Sequence, residues 1–232
     1  PEYMVPEEPS IGLVRPGDPD TYVFYSIFQF LERKNPRGLL LAYLTEFRPE
    51  DNTYLIIKTY RQAQYPEFID RDRQSIRQEI MAVKESLHLK EYPPVRLILE
   101  TLSRDEVLAL HSIGDCYVSP SRGEGFSLVH AEAMALGKPT IGTAYGGNLE
   151  FMNNSNSYLV DYMETPVWGM PWNNYSGDQC WAEPSIMSLR EQMRRVWANR
   201  IQASLYGLAA KKHMLGCYSW PVIGNLMKAR LE

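Results

Sequence analysis

Short, mostly apolar segments alternate with longer amphipathic ones along this chain, and that alternation restricts the fold more than any other feature. Residues 22–28 (YVFYSIF) are mostly aromatic or β-branched, and residues 53–58, 95–99, 116–118, 140–142 and 158–160 are similarly short and mostly apolar. Such runs read as buried strands. The intervening segments read as helices. Residues 36–47 open on Pro36, suited to a first helical turn, and carry a dense apolar face. Residues 70–87 place Ile76, Ile80, Val83 and Leu87 on one side. Ser103-Arg104-Asp105-Glu106 is a capping box that starts a helix ending near Gly114. Residues 126–136 form a helix stopped by Gly137-Lys138-Pro139. Strand and helix thus alternate about five times, which predicts an α/β fold with a parallel sheet covered on both faces. Right-handed crossovers make it doubly wound and Rossmann-like, with ligands beyond the carboxyl ends of the strands.

The flanks are less regular. Residues 1–20 hold five prolines and read as a connector, leaving residues 21–232 as one domain. Residues 161–184 read as a long irregular segment, with Trp168, Trp172, Tyr175 and Trp181 available to pack on a neighbour. The chain is expected to end in helices, one over residues 184–198 and a last one capped by Ser219.

Charge and cysteine content narrow the function classes. A net charge of -4 gives no basic excess for a nucleic-acid groove. Three scattered cysteines form no CxxC pair, which fits a reducing compartment, and Cys116 in an apolar run is expected to be a buried small hydrophobe. No stretch approaches the ~20 apolar residues of a membrane span. The expected location is cytoplasmic, or peripheral to a membrane through a further part of the protein.

The segment Ser119-Pro120-Ser121-Arg122-Gly123-Glu124-Gly125-Phe126-Ser127 follows a strand and opens a helix. Gly123 and Gly125 allow a tight turn close to a ligand. The amides around Phe126, Ser127 and Leu128, with the helix dipole, make an anion site suited to a diphosphate. Such glycines can also serve the turn alone. Glu132, eight residues after Glu124, lies among small and apolar neighbours, where a carboxylate needs strong hydrogen bonds such as sugar hydroxyls supply. The plainer alternatives are a capping acid for Glu124 and an ion-paired helix residue for Glu132.

The run EGFSLVHAEAMALGKPTIGTAYGGNLEF resembles the E-x7-E signature of family 4 retaining glycosyltransferases with the GT-B fold. Glu32-Arg33-Lys34-Asn35-Pro36, Ser119-Pro120-Ser121, Gly137-Lys138-Pro139, Gly146-Gly147-Asn148 and Trp181-Ala182-Glu183-Pro184 extend the likeness from about Tyr22 to Arg195. The resemblance implies one half of a GT-B enzyme, which binds a UDP- or GDP-linked hexose for transfer to a glycan or lipid-linked acceptor. It implies that Glu124 contacts sugar hydroxyls and Glu132 the ribose. Gly125, Phe126, Ser127 and Leu128 would line the sugar and diphosphate. Lys34 would neutralise the leaving diphosphate, helped by Arg33, with no metal or other bound cofactor required. The base would lie by Leu102. An N-terminal acceptor domain or partner chain would complete the cleft.

This chain departs from the family at three positions. Gln29 stands where an arginine is frequent, Ser127 where a glycine is, and His130, expected to be packed in the helix, where an apolar residue is usual. A non-catalytic nucleotide-sugar-binding domain in a polysaccharide assembly is the alternative reading. A dinucleotide oxidoreductase is disfavoured, because Phe28-Gln29-Phe30-Leu31 occupies the turn where G-x-G-x-x-G would stand.

Overall fold

The computed structural model describes residues 13–61, 68–168, 175–176 and 178–232. Six strands form one parallel sheet: β1 (Tyr22–Gln29), β2 (Thr53–Tyr60), β3 (Val95–Ile98), β4 (Cys116–Ser119), β5 (Thr140–Thr143) and β6 (Tyr158–Val160). Their order is β3-β2-β1-β4-β5-β6. Winding therefore runs outward from β1 to β3, then reverses to run from β4 to β6. The reversal opens a crevice between β1 and β4 at their carboxyl ends, the position where this architecture binds ligands.

Period-two alternation splits the strands between two cores. Tyr22, Phe24 and Phe28 of β1 and Leu55 and Ile57 of β2 face one side. There they meet α1 (Pro36–Glu46), α2 (Ile69–Leu87) and α5 (Ile186–Ala198) through Leu40, Ile80 and Met193. Val23, Tyr25 and Ile56 face the other side, against Leu110 of α3 (Arg104–Ile113) and Ala133 of α4 (Leu128–Ala135). The capping box of α3 forms as expected: Ser103 Oγ accepts from the Glu106 amide at 3.2 Å, and the Glu106 carboxylate accepts from the Ser103 amide at 2.7 Å. Cys116 is fully buried, and burial pushes its thiol up.

The flanks differ from the sequence reading in three ways. Residues 13–20 are irregular but packed: Leu13 is buried, and Arg15 holds Asp115 at 2.7 Å. The segment from 161 to 184 contains an antiparallel hairpin, β7 (Tyr162–Pro166) paired with β8 (Cys180–Pro184), where an irregular loop was expected. β7 is mostly exposed and lacks the apolar run by which buried strands are read, whereas β8 buries Trp181, Ala182 and Pro184. Trp172 lies outside the described residues. Finally, α6 (Arg200–Tyr218) precedes α7 (Trp220–Leu231). It buries Ala203, Gly207, Ala210 and Met214. A Cβ on Gly207 would come within 2.1 Å of the Gly137 carbonyl oxygen, so this close approach requires glycine.

Candidate functional site

Two loops meet at the crevice. The first follows β1. A 3-10 turn over Glu32–Lys34 ends at Asn35, which takes the left-handed conformation at φ 54°. Asparagine tolerates that region, and its side chain then accepts from the Gly38 amide at 3.1 Å, capping α1. Pro36 takes the first helical position, where no amide is needed. The Asn-Pro pair thus turns the chain sharply and leaves Arg33 and Lys34 at the carboxyl end of the sheet.

The second loop follows β4 and carries Glu124. Lys34 Nζ lies 2.5 Å from Glu124 Oε1, and Arg33 lies 3.4 Å from Oε2. The Glu124 side chain is 8 % exposed. Burial opposes its ionisation, but the adjacent Lys34 charge and its hydrogen bond outweigh burial and hold the carboxyl below its usual range. Arg33 also donates to the Gly123 carbonyl, and its own carbonyl accepts from the Arg122 amide at 2.7 Å. From β5 and the turn beyond it, Gly147 donates its amide to the Glu124 carbonyl at 2.8 Å. A Cβ on Gly147 would stand 1.6 Å from the Gly125 oxygen, so the Gly146-Gly147 pair lets this turn press against the Glu124 loop.

Helix α4 starts at Leu128, two residues later than expected, because Ser127 is left-handed at φ 67°. Glycine adopts this conformation at lower cost. Ser127 compensates locally, with its hydroxyl 2.5 Å from His130 Nδ1. His130 is buried in the helix, as expected, and burial holds its pKa at about 4 despite the attraction of Glu124. Among the described residues, the amides of Gly125, Phe126 and Ser127 donate to no protein acceptor. A Cβ at Gly123 or Gly125 would meet nothing within 4 Å.

Arg122 was not singled out by sequence reasoning. Its side chain is 6 % exposed and holds Glu183 through two bonds of 2.6 and 3.0 Å. It also donates to the Glu32 carbonyl. Its guanidinium sits 5.1 Å from the ring centroids of both Trp168 and Trp181. Bidentate pairing and stacking on aromatic faces are functions lysine cannot reproduce. One side chain therefore ties the β4 loop to the Lys34 turn and to the β7–β8 hairpin. Arg33, Arg122, Glu124, Gly125, Tyr145 and Trp181 line a cleft of about 540 Å³.

The remaining residues singled out in the sequence lie on other surfaces. Gln29 and Leu102 line a cleft of about 710 Å³ at the ends of β1, β2 and β3. Gln29 donates to the Arg61 carbonyl at 2.8 Å. Glu132, in the second turn of α4, lines a third cleft of about 450 Å³ with Phe126 and Leu128 and lies 3.6 Å from Arg104. Burial raises its pKa, although Arg104 opposes that shift. The two glutamates thus line different clefts, yet both add to burial in raising the Tyr117 hydroxyl's pKa. Among the described residues no group of three His, Cys, Asp or Glu side chains could hold a metal, and no helix is long and apolar enough to cross a membrane.

Comparison with known proteins bears on this geometry. Residues 81–162 match the family model for glycosyl transferases group 1, a span that includes Arg122, Glu124 and Glu132 but not Arg33 or Lys34. No curated protein matches the chain by sequence. Among solved structures, sucrose-phosphate synthase from Thermosynechococcus elongatus is similar at a TM-score of 0.65 and 19 % identity, over 91 % of this chain and 45 % of that one. HepE of Anabaena, in complex with UDP and glucose, is similar at 0.65 and 16 % identity, over 91 % and 48 %. The C-terminal domain of the glycosyl transferase LpcC from Francisella tularensis matches at 0.61 and 16 % identity, over 86 % and 87 %. This chain thus spans about half the length of the first two. Residues 81–162 therefore have the sequence character of the glycosyl transferases group 1 family, within a Rossmann-like fold shared with solved GT-B glycosyltransferases.

Proposed function

We propose that this chain is the donor-binding half of a retaining GT-B glycosyltransferase, taking a hexose from a UDP- or GDP-sugar and passing it to a glycan or lipid-linked acceptor. One observation carries the reading. At the sheet's reversal point, Lys34 from the β1 loop pairs with Glu124, whose own loop carries three amides that have no protein acceptor among the described residues. The amides and Lys34 would grip the diphosphate, and Lys34 and Arg33 would stabilise the charge that grows as it departs. Glu124, kept ionised beside Lys34, would accept hydrogen bonds from the sugar hydroxyls. Glu132 would bind the ribose, exchanging its contact with Arg104 for the vicinal hydroxyls. The complexes of HepE with UDP and with UDP-glucose favour a nucleotide sugar as the ligand class here. An acceptor domain, from the same polypeptide or a partner chain, would close the cleft over the donor.

Calorimetry of this chain against UDP-, GDP- and ADP-sugars tests the reading, with saturable binding of at least one expected and none contradicting it. Transfer activity that survives Glu124→Ala in the complete protein would remove Glu124 from the reaction. Binding without transfer would favour the non-catalytic alternative.

A further inference from the structure

The cleft at the ends of β1, β2 and β3 holds polar groups that have no hydrogen-bond partner among the described residues. Lys58, on β2, is 6 % exposed and lines this cleft with Gln29, Thr59, Arg61 and Leu102. Among the described residues its ammonium makes no hydrogen bond or ion pair, only a contact of 5.2 Å with the centroid of the Tyr60 ring. Burial lowers its proton affinity, and the more distant Glu100 carboxylate partly restores it. Of the eight buried side-chain polar atoms without a partner among the described residues, three line this cleft: Thr59 Oγ1, Arg61 Nε and Arg73 Nε. The adjacent cations are otherwise engaged, Arg61 with Glu79 and Arg73 with Asp70.

The Lys58 stem is buried while its ammonium stands at the cleft with no acceptor among the described residues, which points to an acceptor brought by a ligand. Ammonium has three donors and no acceptor, so it pairs with carbonyl oxygen and rejects an amino group. The cleft is otherwise apolar on the side of Ile27, Ile76, Leu99, Leu102 and Val107, as befits a planar ring.

We propose that Lys58 reads the nucleobase of the donor through the carbonyl oxygen at C4 of a pyrimidine or C6 of a purine, so that the chain prefers uracil to cytosine and guanine to adenine, the second of each pair carrying an amino group at that position. This inference rests on the donor-binding reading above and adds to it a residue that selects the base. Discrimination of this kind is strong, because the wrong base leaves buried donors unpaired.

The test is calorimetric titration of the wild-type chain with UDP, CDP, GDP and ADP, repeated with Lys58→Met and Lys58→Arg. Uracil against cytosine is the cleanest pair, since the rings match in size and exchange a keto group for an amino group. The wild type is expected to bind UDP at least about tenfold more tightly than CDP, as one charged hydrogen bond allows, and likewise GDP over ADP. Lys58→Met should bring each pair to within about threefold by weakening the keto partner, and Lys58→Arg should keep most of the preference. Equal wild-type affinity for UDP and CDP overturns the inference without any variant. So does a preference that survives in Lys58→Met, while the donor-binding reading stands. Failure to bind any of the four nucleotides overturns both.

Discussion

The crevice between β1 and β4 and the cleft at the ends of β2 and β3 lie on the same edge of the sheet, but their charges are arranged differently. In the crevice nearly every charged side chain has a partner: Lys34 holds Glu124, and Arg122 holds Glu183 between two indole rings. What stands unpaired there, among the described residues, is backbone, the amides from Gly125 to Ser127. In the β2–β3 cleft the groups without a hydrogen-bond partner among the described residues are side chains, Lys58 and Thr59 foremost. Mutually satisfied charges hold their geometry without help, which suits electrostatic stabilisation of a leaving group. Unsatisfied side chains await a specific complement, which suits recognition of a base. On the proposed reading chemistry belongs to one region and selection to the other, and substitution in either can break that contrast.

Arg122→Ala should have the largest effect. Removing a buried, stacked arginine whose partner Glu183 is partly exposed should lower stability by about 2 kcal/mol, measured by urea unfolding. It should also weaken nucleotide binding, because the Lys34 turn loses the donor to the Glu32 carbonyl. A loss under about 1 kcal/mol would mean that the hairpin and the crevice are independent.

Glu124→Ala should follow, with turnover of the complete protein falling about 100-fold or more and stability changing less. A drop in stability with turnover retained would reverse the roles of Glu124 and Arg122.

Acid should loosen the packing beneath the crevice. His111 and His130 are buried, and burial lowers each to about 4 from an ordinary 6.5. The unfolded chain then binds more protons than the native one between these values, so stability is full above about 6.5 and declines as pH falls towards 4. Together they should cost on the order of a few kcal/mol by pH 4, followed by thermal melts across that range. Replacing His130 with leucine should flatten part of the slope.

The smallest effect concerns the entry to α4. Ser127→Ala keeps the left-handed strain and loses the bond to His130, whereas Ser127→Gly loses the bond but removes the strain. The glycine variant should therefore be the more stable by about 1 kcal/mol. The reverse order would show that φ at Ser127 carries no cost.

Much of the fold was legible because its signals are local. Apolar runs mark the six parallel strands, and the Ser103–Glu106 box marks the start of α3. Lys34 and Glu124 were legible as separate residues through the family resemblance, and the structure brings them into contact across 90 residues. Arg122 was not legible. Its partner Glu183 is 61 residues away, on a hairpin whose first strand is exposed and carries no apolar run. The late start of α4 was hidden because nothing in the sequence marks Ser127 as left-handed. Lys58 was hidden by its place in an apolar strand, where it read as the strand's end.

Calorimetric comparison of UDP and GDP binding between the wild type and Lys34→Ala tests most directly whether this crevice holds a diphosphate. Loss of one charge-assisted contact should weaken the preferred nucleotide by about 1.5–3 kcal/mol, at least a tenfold rise in Kd. An unchanged Kd would remove Lys34 from the diphosphate site and contradict the crevice's assignment as the seat of the chemistry.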